Sequence, residues 1–165
     1  MEQTVVVTGG SGGIGHSILE AFIAAGYTGV SIDVSEAPAP IKGVRYMSAD
    51  VTSSASISIA FKEIPAVDCL VNNAGIQRLG LLGQQDPAEW ETVLSTNLTG
   101  AYRCMREALP LMKSGSSIVS IASTAALLGL PGRSAYCAAK AGMISMSRAI
   151  AIELAPRGIR VNAVC

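Results

Sequence analysis

The chain has 165 residues, a length that fits one domain with a substantial buried core. Its 12 basic and 12 acidic residues balance, so nothing indicates a nucleic-acid or acidic-membrane partner. Half of the residues are hydrophobic, yet no run approaches the roughly 18 apolar residues that span a bilayer. The first residues enter a strand at once, so we expect no signal peptide. Four scattered cysteines without a Cys-x-x-Cys pair favour free thiols in a reducing cytoplasm over a metal site.

Short apolar runs typical of buried strands alternate with helical patterns along the chain. The runs predict strands over 4–8, 30–33, 44–47, 67–71, 117–121 and 159–164. Helices are predicted over 14–25, 53–63, 87–113 and 134–154. The clearest helix start is Asp86-Pro-Ala-Glu89, with Asp at the N-cap and Pro at the first helical position. Such alternation forms right-handed βαβ units, and it predicts an α/β fold with a doubly wound parallel sheet and helices on both faces.

A glycine-rich turn, Thr8-Gly-Gly-Ser-Gly-Gly-Ile-Gly15, follows the first strand and opens the first helix. Glycines let backbone amides approach a pyrophosphate, and a helix N-terminus supplies a favourable field for it. The turn therefore predicts dinucleotide binding, while a tight strand-to-helix turn without a ligand remains the alternative.

Asp33 ends the second strand, eighteen residues after Gly15. A carboxylate at this place can accept hydrogen bonds from the adenosine ribose hydroxyls and would repel a 2′-phosphate. No Lys or Arg stands at positions 10–12 or 34 to bind such a phosphate. NAD is therefore favoured over NADP; the alternative is a solvated turn aspartate.

Tyr136 and Lys140 stand four residues apart, with Ser123 thirteen residues before the tyrosine. Residues i and i+4 share one face of a helix, so the ammonium can lie beside the phenol. A free phenol, with a pKa of roughly 10, is a poor base near neutral pH. A neighbouring positive charge stabilises phenolate and makes tyrosine a usable proton acceptor. Taken singly, Tyr136 could be a packing residue, and Ser123 could cap the strand end.

Five features in this order resemble the short-chain dehydrogenase/reductase family. They are the glycine turn, Asp50 after the third strand, Asn72-Asn-Ala-Gly75 after the fourth, Asn97 in the long helix, and Ser123 with Tyr136-x3-Lys140. The resemblance implies a single NAD(P)-binding, Rossmann-type domain over residues 1–165. It also implies an NAD-dependent oxidoreductase that transfers a hydride between nicotinamide and a secondary alcohol or ketone.

The resemblance gives each matching residue a role. Tyr136 would be the acid/base, Ser123 would hydrogen-bond the same substrate oxygen, and Lys140 would assist the phenol and bind the nicotinamide ribose. Asn97 would hold a water that links Lys140 to solvent. The weak helix formers around it also predict a kink. The residues expected to contact the cofactor are Gly9, Ser11, Gly13, Ile14, Gly15, Asp33, Asp50, Val51, Asn73, Ala74, Gly75, Tyr136 and Lys140.

Family members continue beyond this point of the sequence, so we expect the C-terminal part to be missing here. The helices 87–113 and 134–155 resemble those through which members form dimers and tetramers, which predicts a homotetramer for the complete protein. Two alternatives stay open: a cofactor-binding relative or fragment without activity, and an epimerase or dehydratase on the same kind of sheet. We expect Trp90 to be a packing residue and His16 to lie at the surface or at the edge of the cofactor. Arg78 is a candidate for an anion contact, and Arg133 could reach either substrate or solvent.

Overall fold

The computed structural model describes residues 3–37 and 39–165. Within them the strands are β1 Thr4–Thr8, β2 Thr28–Asp33, β3 Val44–Ser48, β4 Cys69–Asn72, β5 Ser117–Ile121 and β6 Arg160–Val164. They form one parallel sheet in the order β3-β2-β1-β4-β5-β6. The predicted doubly wound α/β fold is confirmed.

The main helices begin close to their predicted positions. They are α1 Gly13–Ala24, α2 Ser54–Lys62, α3 Pro87–Leu94, α4 Gly100–Ala108 and α5 Ser134–Leu154, with single 3₁₀ turns at Leu109–Leu111, Thr124–Ala126 and Ala155–Arg157. Asp86 caps α3 as predicted, because its carboxylate accepts a hydrogen bond from the Ala88 amide at 2.8 Å.

The long helix predicted over 87–113 is not a single α-helix. A π-helical segment, Ser95–Thr99, separates α3 from α4 and contains the predicted kink position, Asn97. The ends of some strands also differ from the prediction. Position 67 is outside β4, because the Val67 amide donates to the carbonyl of Leu111 at 3.0 Å instead of joining the ladder.

Apolar side chains cover both faces of the sheet. On one face the strands contribute Val6, Leu70 and Ile118, which pack with α2, α4 and the end of α5. On the other face Val5, Val7, Cys69 and Val71 pack with α1. Complete burial of one such side chain contributes about 1.5–3 kcal/mol. A parallel sheet buried on both sides therefore explains why these strands read as continuous apolar runs.

The direction in which strands are added reverses between β1 and β4, and this point lies under the functional site. The hydroxyl of Thr8 accepts hydrogen bonds from the amides of Asn73 at 3.1 Å and Ala74 at 3.0 Å. The Asn73 side-chain amide donates to the carbonyls of Thr8 and Gly9, each at 3.0 Å. These bonds fix the glycine turn to the end of β4.

Among the described residues, none of the helices is apolar over enough residues to cross a bilayer.

Candidate active site

A cavity of about 1070 Å³ opens at the carboxyl ends of the strands. It brings together residues that lie far apart in the sequence, and most of the predicted site is among its walls. The predicted residues that line it are Gly9, Ser11, Ile14, Asp33, Asp50, Val51, Asn73, Ala74, Gly75, Asn97, Ser123, Tyr136 and Lys140. Gly13 and Gly15 belong to the same turn but are not lining residues.

The glycine turn leaves the N-terminus of α1 open toward the cavity. Gly9 and Gly13 have φ angles of +66° and +54°, which side chains rarely adopt. A Cβ atom placed on Gly12 or Gly13 would meet nothing within 4 Å, and Gly12 gives the helix no side-chain cap. A Cβ on Gly15 would instead lie 2.1 Å from the Gly9 carbonyl oxygen. The turn thus packs tightly on its inner side and leaves amides and space for an anion on its outer side.

Asp33 is held rigidly at one end of the cavity. Its two carboxylate oxygens accept hydrogen bonds from the backbone amides of Ser11 and Ser35, each at 3.0 Å. The Ser11 hydroxyl also donates to the Ser35 carbonyl at 2.7 Å. Each carboxylate oxygen keeps a further lone pair for a ligand. The part of Ser35 in this arrangement was not predicted, because a serine two residues after a strand carries no specific signal.

Asp50 and Val51 form the wall behind Asp33. The Asp50 carboxylate accepts from the amide and the hydroxyl of Thr52, both at 2.8 Å, and so closes the turn before α2. Val51 is buried in the larger core cluster. The Arg103 guanidinium of α4 donates to the Val51 carbonyl at 3.3 Å. Hydrogen bonds from Thr52 and from Arg103 of α4 therefore hold this wall in place.

Tyr136 and Lys140 occupy one face of α5 at the other end of the cavity. The Lys140 Nζ atom lies 5.6 Å from the centroid of the Tyr136 ring and donates to the carbonyl of Ile121 at 2.6 Å. Lys140 is 3% exposed, and this burial lowers the pKa of its ammonium to about 8. Ser123 caps the turn that follows, since its Oγ accepts from the Ala125 amide at 3.1 Å. Ser123 therefore caps the 3₁₀ turn Thr124–Ala126, and its hydroxyl proton stays available to a ligand.

The π-helical segment aims Asn97 at the cavity. Its side-chain nitrogen donates to the carbonyls of Ile76 at 2.8 Å and Val93 at 2.9 Å, and its buried Oδ1 has no partner among the described residues. A Cβ on Gly75 would lie 2.5 Å from that Oδ1 and 3.6 Å from Lys140 Nζ. The absence of a side chain at Gly75 thus lets Asn97 approach Lys140.

Several other polar residues stand apart from the cavity walls. His16 faces Glu20 at 3.7 Å, and Arg78, predicted as an anion contact, faces Glu89 at 3.9 Å. Trp90 packs beside α5, as expected for a packing residue. The cavity also has lining residues that the sequence analysis did not identify, among them Ile76, Thr92 and Thr96. Thr92 lies on α3 and Thr96 lies four residues later in the π-helical segment, a spacing that would have indicated a shared face.

Comparison with known proteins decides the family. The family model for short chain dehydrogenases matches residues 3–165. The chain belongs to the short-chain dehydrogenase family. It is 34% identical to 2-(S)-hydroxypropyl-CoM dehydrogenase 3 of Xanthobacter autotrophicus and 35% identical to a 3-oxoacyl-(acyl-carrier-protein) reductase of Staphylococcus aureus, over 99% of its own length in each case. Its fold matches the ligand-free aldohexose dehydrogenase of Thermoplasma acidophilum with a TM-score of 0.93 at 33% identity, over 99% of the chain.

The chain is shorter than these members of the short-chain dehydrogenase family. It spans 70% and 73% of the two curated proteins and 66% of the solved dehydrogenase chain. It spans only 32% of an uncharacterized short-chain type dehydrogenase/reductase of Sinorhizobium fredii, to which it is 36% identical. The short-chain dehydrogenase family is one of oxidoreductases that use a nicotinamide cofactor. Among residues 3–37 and 39–165 no group of three or more His, Cys, Asp or Glu side chains could hold a metal ion.

The lowered pKa of Lys140 predicts a pH dependence of stability for this chain. Between pH 8 and the ordinary lysine value of 10.5, the unfolded chain binds more protons at this site, so stability rises with pH across that window. Below pH 8 both states are protonated and the cost of burying the ammonium is constant. We expect the wild type to gain up to about 3 kcal/mol relative to Lys140→Met between pH 8 and 10.5.

Urea unfolding of both proteins at several pH values measures this difference. Cys104, whose pKa burial raises to about 12, acts in the opposite direction but contributes equally to both proteins, so it cancels. Exposed Lys62 provides the control, because Lys62→Met should follow the wild type at every pH. A constant difference between wild type and Lys140→Met would contradict the prediction.

Proposed function

We propose that this protein is an NAD-dependent oxidoreductase that transfers a hydride between nicotinamide and a secondary alcohol or ketone. One observation carries the proposal: Asn97, Ser123, Tyr136 and Lys140 line the same cavity as Asp33, which ends β2, with β1 and β4 between β2 and the β5 end that Ser123 follows. The acid/base groups and the ribose-binding carboxylate are therefore separated across the sheet, in a space suited to an extended dinucleotide. We place the protein in the cytoplasm.

The residues present fit NAD. The open N-terminus of α1 faces the cavity with uncapped amides and free space at Gly12 and Gly13, as a pyrophosphate requires. Asp33, fixed by two backbone amides, would accept hydrogen bonds from the adenosine ribose. Its charge would repel a 2′-phosphate, and positions 10–12 and 34 carry no Lys or Arg to offset that repulsion. These features support NAD over NADP.

A nicotinamide held in this cavity would supply the hydride chemistry of the proposed reaction. Tyr136 transfers the proton to or from the substrate oxygen, and the Ser123 hydroxyl donates a hydrogen bond to the same oxygen as its charge develops. The protonated Lys140 ammonium, held by the Ile121 carbonyl, favours the phenolate form of Tyr136. Its remaining N–H groups would bind the nicotinamide ribose. Asn97 Oδ1, which has no hydrogen-bond partner within residues 3–37 and 39–165, would hold a water that returns protons to solvent.

The substrate class rests on this chemistry and on the names of relatives. A hydroxypropyl-CoM dehydrogenase and a 3-oxoacyl-(acyl-carrier-protein) reductase are named for a hydroxy compound and an oxo compound. Both names agree with an alcohol/ketone pair in this protein.

We also propose that it is a homo-oligomer through α3–α4 and α5; a single monomeric mass in light scattering at micromolar concentration would contradict this.

Two other functions have less support. A cofactor-binding relative without chemistry would not need Tyr136 and Lys140 on one helix face beside a cavity. Epimerases and dehydratases with longer chains on the same kind of sheet usually carry Gly-x-x-Gly-x-x-Gly in the first turn. Here Gly9, Gly13 and Gly15 are separated by three residues and then by one.

The decisive experiment has two stages. NADH and NADPH are first titrated into the protein with fluorescence detection, and secondary alcohols and ketones are then screened with the preferred cofactor. Selective NADH binding followed by turnover of at least one compound is expected. Failure to bind either cofactor would overturn the proposal. Binding without turnover of any compound would favour the catalytically silent relative.

Replacement of Asp33 tests the cofactor preference. We expect Asp33→Asn to lower NADH affinity about tenfold, because a charge-assisted hydrogen bond to the ribose contributes about 1.5–3 kcal/mol. The affinity ratio of NADH to NADPH should fall, since the repelling charge is gone. Glu36→Gln is the matched control, because exposed Glu36 also lines the cavity. An equal change in the NADH-to-NADPH affinity ratio in both variants would show that the ratio depends only on the net charge of the cavity.

A further inference from the structure

A buried polar layer lies behind the cavity, between the sheet and α5. Asn72 of β4 and Ser120 of β5 are register neighbours in the parallel sheet. By strand alternation they lie on the same sheet face as Leu70 and Ile118. Ser147 of α5 completes the layer, with its Oγ 3.4 Å from the Oγ of Ser120. None of the three polar residues lines the cavity.

The Asn72 amide has unused hydrogen-bonding capacity. The residue is 2% exposed, and among the described residues neither its Oδ1 nor its Nδ2 has a partner. A primary amide offers two N–H donors and one carbonyl acceptor. Buried polar groups in folded proteins are almost always paired, either with protein atoms or with ordered water. Asn72 therefore points to a further binding partner inside the protein.

The groups around Asn72 identify that partner. The hydroxyls of Ser120 and Ser147 are buried, and each can donate and accept. All three side chains are neutral, so the layer has no charge to hold an ion in an apolar interior. An internal water typically makes about three hydrogen bonds to such groups. The layer has the composition of a site for one water molecule.

The layer is also adjacent to the contact that holds Lys140. Ser120 immediately precedes Ile121, whose carbonyl accepts from Lys140 Nζ at 2.6 Å. Ser147 lies on the same helix face as Lys140, two turns further along α5. A bridge from Ser120 to Ser147 thus fixes β5 against α5 one residue away from the carbonyl that binds the lysine.

We propose that Asn72, Ser120 and Ser147 hold one internal water, and that this hydrated layer positions Lys140 through the Ile121 carbonyl. The three side chains are positioning residues, since none reaches substrate or cofactor. The importance of the layer for catalysis rests on the proposed role of Lys140. The water site itself does not depend on that role.

Water ¹⁷O relaxation dispersion, which counts long-lived internal waters, tests the site in the 165-residue chain. Wild type is compared with Asn72→Leu and Ser147→Ala, each of which is expected to hold one internal water fewer. Ser116→Ala is the matched control, because buried Ser116 already donates to the Val67 carbonyl at 3.2 Å. Its count should equal that of the wild type. Equal counts in all four proteins, or an equal loss in the control, would overturn the water site.

The ¹³Cε resonance of Lys140 tests the positioning. Its chemical shift should change in Ser147→Ala and stay at the wild-type value in Ser116→Ala. An unchanged chemical shift in Ser147→Ala would overturn the link to Lys140. Alanine is favourable inside a helix, so Ser147→Ala should fold even if Asn72→Leu does not. Neither measurement requires turnover. A wild type that fails to bind NADH would therefore overturn the proposed function and leave both of these results interpretable.

Discussion

Replacement of Tyr136 by phenylalanine is expected to lower kcat by a factor of about 10² to 10⁴ and to leave NADH affinity nearly unchanged. The factor is the usual contribution of a positioned general acid or base. Phenylalanine keeps the ring that packs beside Val93 and Ala135, and it removes only the hydroxyl. Because Lys140 is anchored by the Ile121 carbonyl and not by the phenol, its position should survive the change.

Tyr102→Phe is the matched control for this prediction. Tyr102 lies on α4, is about half exposed and is not a lining residue of the cavity. Its kcat and NADH affinity should equal those of the wild type. Both variants are measured with the alcohol or ketone that the screen identifies as the best substrate. If Tyr136→Phe retained more than a tenth of the wild-type kcat, another group would have to transfer the proton.

Sequence spacing predicted the parts of the site that depend on local geometry. Tyr136 and Lys140 share a face of α5 because four residues make about one helical turn, and the structure places both on the cavity. The turn between Gly9 and Gly15 was predicted because positive φ angles and close backbone approach require glycine. Such constraints act between near neighbours, so they are readable from one sequence.

Features that depend on long-range packing were less accessible. Weak helix formers around Asn97 predicted a kink, but not the π-helical segment that the structure has there, nor that the missing side chain at Gly75 lets Asn97 approach Lys140. The burial that lowers the pKa of Lys140 likewise depends on the whole sheet. The polar layer at Asn72 became visible only when β4, β5 and α5 were placed together. In each case the partners lie more than twenty residues apart or on different elements.

Replacement of Gly15 by alanine is expected to destabilise the protein by about 3 kcal/mol or more and to abolish NADH binding. A Cβ at this position would lie 2.1 Å from the Gly9 carbonyl oxygen and 2.6 Å from the Asn73 side-chain nitrogen. The first atom is backbone, and the second donates to the carbonyls of Thr8 and Gly9, so neither can move without breaking the turn. Overpacking of this kind costs about 1–3 kcal/mol, and lost buried hydrogen bonds add to it. Helix propensity favours alanine by only about 1 kcal/mol, so the clash decides the sign.

Gly12→Ala is the control for this prediction, because it adds a methyl group to the same turn without the clash expected at Gly15. Its Cβ would meet nothing within 4 Å, and its φ of −166° is extended backbone that alanine adopts without strain. Its free energy of unfolding should fall by no more than about 1 kcal/mol, because alanine is less favourable than glycine at an N-cap by about that amount. Its NADH affinity should nevertheless fall, since the space that the methyl group enters is the space proposed for the pyrophosphate. Urea unfolding and NADH titration of both variants separate the two effects. Equal stability of Gly15→Ala and Gly12→Ala would show that the turn can relax, and undiminished NADH binding by Gly12→Ala would place the pyrophosphate elsewhere.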